Sequence, residues 1–136
     1  MSKYDRIFKD NLEAILIRVS KRWLGIDLSA VRTKKVSLKL SRGIDREPDY
    51  LKKILPTEGK PFLLHIEFQT YDDPKMLYRM AEYKALLQRK HQIPVRQFVL
   101  YFGQKPSKMK NELPEEQHIT GFELLQIQKW KPEDLL

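Results

Sequence analysis

The chain has 136 residues, of which 41% are hydrophobic and 32% charged, with a formal net charge of +8 and no cysteine. This length and composition predict one globular domain over residues 1–136, and the lack of cysteine excludes disulfides, thiolate catalysis and cysteine-ligated zinc. The sequence has no apolar run of about 18 residues and no apolar signal core behind its polar start, so we expect a cytoplasmic protein without a membrane span.

The positive charge is unevenly distributed along the chain. Residues 1–60 hold 15 Lys and Arg against 8 Asp and Glu, and residues 61–110 hold 9 against 4. Residues 111–136 hold 2 against 6 and are therefore acidic. The basic excess favours a polyanionic partner such as nucleic acid, although a basic surface that only aids solubility remains an equal alternative.

The first half of the chain predicts one helix and three strands. A helix should run from about Tyr4 to Trp23, because apolar residues recur there at helical spacing, and Gly25 should end it. Residues 34–41 alternate with a period of two, which indicates a half-buried strand. A second strand should span about 46–54, with irregular backbone near Asp49 after Pro48, and a third should span 62–69 and pair with it as a hairpin.

The second half predicts a helix and further strands. Asp73 should cap a helix that starts at Pro74 and ends near Lys90. Residues 95–103 form a near-continuous apolar run, which indicates a buried central strand parallel to its neighbour. A loop over 104–117, a strand over 119–128 and a helical turn over 131–136 should follow. The predicted fold is α/β, with a mixed central sheet flanked by helices.

Two carboxylates should meet where the predicted hairpin strands lie side by side. Alternation puts Glu67 and Gln69 on one face of the third strand, and pairing with the second strand brings Asp49 near them. Mg²⁺ and Mn²⁺ prefer hard oxygen ligands, which Asp49, Glu67 and the backbone carbonyl of Phe68 would supply. Gln69 would orient a metal-bound water, but it cannot neutralise charge, so Lys52 or Lys53 would have to compensate.

Two further residues near this site have alternative interpretations. Glu13 lies at the flank of the apolar stripe of the first helix and could reach the site, but it is also typical of an ordinary solvated helix carboxylate. His65 shares a face with Glu67 and could support it, although a packed or solvated histidine is the more frequent case.

Several stretches of the chain together resemble one family of nucleases. Pro48-Asp49 followed by Glu67-x-Gln69 looks like the Pro-Asp…(Asp/Glu)-x-Lys motif of phosphodiesterases, with glutamine at the lysine position. The matching stretches are Tyr4-Asp5-Arg6-Ile7-Phe8-Lys9, Arg46-Glu47-Pro48-Asp49, Leu64-His65-Ile66-Glu67-Phe68-Gln69 and Met76…Arg79-Met80…Tyr83. Over about residues 4–103 the chain resembles the recombination-promoting nuclease/putative transposase family of the PD-(D/E)XK, or restriction-endonuclease-like, superfamily.

This resemblance implies a restriction-endonuclease-like core in the order helix, three-strand meander, helix and strand. It implies DNA cleavage that depends on Mg²⁺ or Mn²⁺, with Asp49 and Glu67 as metal ligands and Gln69 at the position of the usual lysine. It also implies that Glu13 is a catalytic carboxylate from the first helix. Members of the family usually extend well beyond this length, so the chain is expected to correspond to the N-terminal part of such a protein.

The resemblance also indicates partners. Arg46, Arg79 and Tyr83 lie in the matching stretches, and we expect them to contact DNA or to support the site. Cleavage of both strands would favour a homodimer, because one site must act on each strand. The alternative function is a nucleic-acid-binding module that keeps the nuclease fold but has lost efficient cleavage.

Overall fold

The computed structural model describes residues 3–36, 48–110 and 122–127. Within these residues the chain forms two helices and five strands: α1 (Lys3–Leu24), β1 (Arg32–Lys35), β2 (Tyr50–Leu55), β3 (Phe62–Gln69), α2 (Met76–His91), β4 (Val95–Tyr101) and β5 (Glu123–Gln126). The predicted α/β class is therefore confirmed. Neither helix in the described ranges is long and apolar enough to cross a membrane.

The strands form one mixed sheet whose order in space is β1-β2-β3-β4-β5 for the residues described. The β1–β2 and β2–β3 pairs are antiparallel, whereas the β3–β4 and β4–β5 pairs are parallel. The predicted hairpin of the second and third strands is confirmed, and so is the parallel placement of the apolar strand after the second helix. A parallel connection needs a crossover, and α2 provides it between β3 and β4.

A helix covers each face of the sheet, because the strands alternate between two apolar sets. On one face, Leu12, Ile15 and Leu16 of α1 pack in one buried cluster with strand residues. Those strand residues include Tyr50, Ile54, Leu64, Ile66, Phe68, Phe98 and Leu100. On the other face, Met76, Leu77, Met80 and Leu87 of α2 pack against strand residues. Those strand residues include Leu51, Leu63, Val95, Val99 and Tyr101. Strand β3 is therefore buried on both sides, including its polar residues.

Helix α1 ends at the predicted position. Gly25 directly follows Leu24 and has a φ of +69°, a left-handed conformation that glycine adopts without a steric penalty. The side chain of Ser20 then accepts a hydrogen bond from the backbone N–H of Leu28 at 3.0 Å, which fastens the segment after the helix back onto it.

The first two strands differ from the prediction at their ends. Strand β1 begins at Arg32, two residues before the predicted start, and its four residues are all exposed. Val36, which follows it in the predicted alternating stretch, is half-buried and packs against Leu51, Leu63, Leu87 and Val95. Residues 37–47 lie outside the described residues. Strand β2 begins at Tyr50, and the predicted irregular backbone around Asp49 is confirmed as a bend just before the strand.

Helix α2 starts later than predicted. The N-cap position is occupied by Lys75 without a side-chain cap, so the prediction of Asp73 as N-cap was wrong. Instead, Oδ1 of Asp73 accepts the backbone N–H of Lys75 at 2.8 Å and forms a turn that precedes the helix. The last strand is shorter than predicted, at Glu123–Gln126, and the predicted helical turn over 131–136 lies outside the described residues.

Candidate functional site

Two carboxylates from neighbouring strands are held together by reciprocal hydrogen bonds. The register pairs Tyr50 with Ile66, so Asp49 lies beside Glu67 at the end of the hairpin ladder. The backbone N–H of Asp49 donates to Oε2 of Glu67 at 2.6 Å, and the backbone N–H of Phe68 donates to Oδ2 of Asp49 at 3.0 Å. Each carboxylate is thus fixed by the backbone of the opposite strand, and the predicted convergence of Asp49 and Glu67 is present.

The carboxylate of Glu67 is fully buried and only partly satisfied. Its Oε1 atom has no hydrogen-bond partner among the described residues. The Nη2 atom of Arg79 lies 3.7 Å from Oε1, and Nε2 of His65 lies 3.6 Å from Oε2; both are too far for a good hydrogen bond. A buried carboxylate is costly without a positive or hydrogen-bonding partner, so this oxygen is suited to bind a cation.

A buried amide fixes the tautomer of His65. The Nε2 amide of Gln97 donates to the carbonyl of Met80 at 2.8 Å, and it lies 3.1 Å from Nδ1 of His65. The Met80 carbonyl can only accept, so the Gln97 atom is a donor and Nδ1 of His65 is an acceptor. The proton of the neutral imidazole is therefore on Nε2, which faces Glu67 and cannot serve as a metal ligand in this tautomer.

Tyr83 supports this histidine from α2. Its ring meets the ring of His65 edge-on, with 4.8 Å between the ring centroids, and only 1% of the residue is exposed. So buried a ring does not reach DNA directly, and the site-supporting role of Tyr83, here through His65, stays a prediction. Sequence reasoning missed Gln97; the signal was a polar residue at an inward position of an otherwise apolar strand.

Among the described residues, Arg79 brings a positive charge to Glu67. Its Nη1 donates to Oδ2 of Asp73 at 2.6 Å, which holds the guanidinium over the end of β3. The Arg79 side chain is 23% exposed, so it is also reachable from solvent. A contact of Arg79 with a DNA phosphate remains a prediction. The position of Arg79 beside Glu67 was not predicted from the sequence. Arg46 lies outside the described residues.

Neither neighbouring lysine reaches the carboxylates. Lys52 is paired opposite Leu64 on the face that packs against α1, and its Nζ contacts Oε1 of Glu13. Lys53 is paired opposite Leu63, four residues before Glu67, or about 13 Å along the strand.

Glu13 lies on the α1 side of the sheet. Its side chain is 59% exposed, and the contact that the structure shows for it is Lys52. The side chain of Glu67 belongs to the opposite face, which α2 covers, so the described contacts do not join the two carboxylates. A catalytic role for Glu13 therefore stays a prediction.

Gln69 is placed as predicted, two residues after Glu67 on the same face, and it is 3% exposed. Its carbonyl accepts the N–H of Phe102 at 2.8 Å and so belongs to the β4 side of the strand. The N–H of Phe68 points the other way, toward Asp49. Because the N–H and C=O of one strand residue face the same neighbour, the carbonyl of Phe68 also lies on the Asp49 side.

The donor set fits a hard divalent cation. Asp49 and Glu67, with the carbonyl of Phe68, supply the oxygens that Mg²⁺ and Mn²⁺ prefer, and the unsatisfied Oε1 of Glu67 is suited to be one of them. Within residues 3–36, 48–110 and 122–127, no group of three or more His, Asp and Glu side chains is arranged to hold a metal ion. The other ligands of an octahedral ion would therefore be waters and substrate oxygens, as is usual for Mg²⁺.

No protein-family model, no curated protein and no solved structure matches this chain. The structure brings together Asp49, Glu67, Phe68 and Gln69, and it adds Arg79 and His65 around them.

Proposed function

We propose that this chain is a Mg²⁺- or Mn²⁺-dependent DNA endonuclease of the recombination-promoting type, with a restriction-endonuclease-like core. The observation that carries the proposal is the pair of reciprocal hydrogen bonds between Asp49 and the Glu67-Phe68 step. These bonds hold the carboxylate of Asp49, just before β2, next to that of Glu67 on β3, and the two residues stand in the order of the Pro-Asp…(Asp/Glu)-x-Lys motif. The order of helices and strands in the described residues agrees with such a core.

Asp49 and Glu67 would hold the metal ion together with the carbonyl of Phe68. Bound there, the metal would supply Lewis-acid stabilisation of charge on the phosphodiester and would lower the pKa of a bound water. The protein fixes both carboxylates before substrate arrives, because each accepts a hydrogen bond from the opposite strand. Such preorganisation avoids reorganising the ligands during the reaction.

Gln69 and Arg79 divide the tasks that a lysine would otherwise perform. Gln69 shares the face of Glu67, and its amide would orient the attacking water by a hydrogen bond, but it cannot take a proton. Arg79 supplies a permanent positive charge 3.7 Å from Glu67 and would stabilise a phosphate oxygen that carries developing charge. Neither Gln69 nor Arg79 can take the proton of the attacking water, so that proton would pass to another water or to an oxygen of the substrate.

Cleavage of supercoiled plasmid tests the proposal. Asp49→Asn and Glu67→Gln keep the size of each side chain but remove its charge, and we expect each to lower the cleavage rate by about 100-fold or more, because a bound metal contributes several kcal/mol. Glu58→Gln, at an exposed position in the turn between β2 and β3, is the matched control and should cleave as the wild type does. EDTA should abolish cleavage and added Mg²⁺ should restore it.

Wild-type rates in both site variants would show that the carboxylate assignment is wrong. The second candidate function, a binding module without efficient cleavage, is favoured by one observation: Arg79 can partly compensate the charge of Glu67 without any metal. If the wild type binds DNA with a steep salt dependence but never cleaves it with Mg²⁺ or Mn²⁺, the module replaces the nuclease.

A further inference from the structure

A pocket lies beside the start of α2, apart from the carboxylate site. Its volume is about 480 Å³, which is within the ~300–1,000 Å³ range of small-molecule sites. The side chains that matter for its chemistry are Asp72, Leu77, Tyr78, Lys108, Met109 and Lys110. Leu77 and Met109 make an apolar floor, since both are buried, while the tyrosine and the two lysines stand at the rim.

Hydrogen bonds fasten the wall that carries the lysines. Asp72 accepts the hydroxyl of Ser107 at 2.8 Å through Oδ1 and the backbone N–H of Lys108 at 3.0 Å through Oδ2. The Ser107 hydroxyl oxygen accepts the backbone N–H of Met109 at 3.1 Å, and the N–H of Ser107 donates to Gln126 on β5 at 2.9 Å. Both carboxylate oxygens of Asp72 are therefore engaged in holding the pocket wall.

The exposed groups at the rim indicate which ligand chemistry suits the pocket. Tyr78 is 52% exposed, which is unusual for so large an aromatic residue, and Lys108 and Lys110 are both exposed. Lys75, next in the chain to the lining residue Pro74, is exposed as well. An aromatic platform flanked by cations is the arrangement with which proteins bind single-stranded nucleic acid, because rings stack on bases and ammonium groups contact phosphates. An apolar segment of a protein would gain nothing from these charges.

We propose that this pocket takes an unpaired nucleobase of the DNA strand, stacked on Tyr78, while Lys108 and Lys110 contact the flanking phosphates. Asp72 borders the pocket and its neighbour Asp73 binds Arg79, which approaches Glu67, so the pocket and the carboxylates share one segment. The preferred substrate is then DNA with a single-stranded stretch, such as a flap, a gap or a displaced strand. The proposal relies on the DNA-binding part of the proposed function and not on cleavage.

Fluorescence anisotropy in EDTA measures binding without cleavage. The probes are a labelled oligothymidine, longer than the ~4–16 nucleotides that one domain typically covers, and a labelled blunt duplex of the same length. The wild type should prefer the single strand. Tyr78→Ala should weaken single-strand binding about tenfold, as expected for one lost base stack, and should leave duplex binding unchanged. Tyr78→Phe keeps the ring and should bind as the wild type does.

Two further variants complete the design. Tyr71→Ala removes a tyrosine that is 61% exposed but does not line the pocket, and it should bind both probes within about twofold of the wild type. Lys108→Gln combined with Lys110→Gln should reduce the salt dependence of single-strand binding by about two phosphate contacts. Circular dichroism verifies that each variant is folded.

Three results would overturn the pocket assignment. The first is unchanged single-strand affinity in folded Tyr78→Ala. The second is an equal loss for single strand and duplex, which would mean that Tyr78 contacts the backbone of any DNA. The third is wild-type self-association that Tyr78→Ala abolishes without altering DNA affinity, because a second copy would then cover the pocket. Failure of metal-dependent cleavage alone would sink the nuclease and leave the single-strand preference standing.

Discussion

At the scale of single residues, the two carboxylate oxygens of Glu67 have different surroundings, and this difference decides how the site could bind a metal ion. The backbone of Asp49 satisfies Oε2, while Oε1 is buried with Arg79 and without a hydrogen bond in the described part of the chain. A full ion pair at short distance would satisfy the carboxylate and compete with a metal. The 3.7 Å separation between Arg79 and Oε1 of Glu67 instead leaves this oxygen able to accept a further cation.

Tyr50, which directly follows Asp49, gives a pH-dependent prediction. Burial raises the pKa of Tyr50 to about 12, whereas an unfolded tyrosine has a pKa of about 10. Between these values the folded protein keeps the proton that the unfolded chain releases. The unfolded state then binds fewer protons, so the free energy of unfolding falls as pH rises from about 10 to about 12. Below about pH 10 Tyr50 is protonated in both states, so its full contribution to the free energy of unfolding is present there.

Urea unfolding of wild type and Tyr50→Phe at several pH values between about 9 and 12 checks this expectation. The variant lacks the ionisable group, so its free energy of unfolding should fall less over this window than that of the wild type. Tyr78→Phe removes the hydroxyl of a half-exposed tyrosine and is the matched control. Parallel curves for wild type and Tyr50→Phe would contradict the burial argument.

At the scale of elements, α2 delivers a positive charge to the end of β3. Arg79→Gln removes that charge and leaves Glu67 buried without it, so we expect the free energy of unfolding in EDTA to drop by about 1–2 kcal/mol. The same change removes a repulsive neighbour of a bound cation, and Mn²⁺ should therefore bind more tightly. Thermal unfolding with and without Mn²⁺ and titration calorimetry give the two readouts, and added metal should recover the lost stability.

Arg89→Gln, at an exposed basic position in the last turn of the same helix, is the control for this experiment. It should leave both the stability and the Mn²⁺ affinity unchanged. A variant Arg79→Gln that is destabilised but gains nothing from Mn²⁺ would mean that Glu67 pairs with Arg79 alone and does not hold metal.

The helices and strands also show which parts of the structure could be predicted from the sequence. Strand β3 was predicted over its observed range, and the pairing of Asp49 with Glu67 followed from the hairpin, because a short connection leaves the register little freedom. The contact of Arg79 with Glu67 was not predictable, because it depends on the angle at which α2 crosses the sheet. Gln97 meets His65 across two parallel strands, a register that no local pattern fixes.

Helix α2 and strand β1 illustrate the same limit at element ends. Asp73 has the composition of an N-cap, but its carboxylate is drawn to Arg79 and to the turn before the helix. Strand β1 begins two residues earlier than predicted and its four residues are exposed, whereas Val36, from the alternating stretch, is half-buried and packs against Leu51, Leu63, Leu87 and Val95. At Asp73, tertiary surroundings overrode a local preference.

At the scale of the whole molecule, the +8 charge makes a quantitative prediction for DNA binding. Each phosphate neutralised by a lysine or arginine lowers the slope of log affinity against log salt by about 0.9 on duplex DNA. With about four such contacts, affinity should fall about 100-fold between ~50 and ~200 mM salt. Anisotropy titrations with the blunt duplex in EDTA give the slope directly. An affinity independent of salt would exclude phosphate neutralisation as the source of binding.

The order of the strands has a consequence for how the chain folds during synthesis. Because the described strands lie in the sheet in the order in which they occur along the chain, each strand that leaves the ribosome finds its sheet neighbour already made. Helix α1 is the exception. Its core residues Ile15 and Leu16 pack with Ile66 and Phe98, which are translated 50 or more residues later. The apolar face of α1 is therefore not fully covered until β3 and β4 have been made.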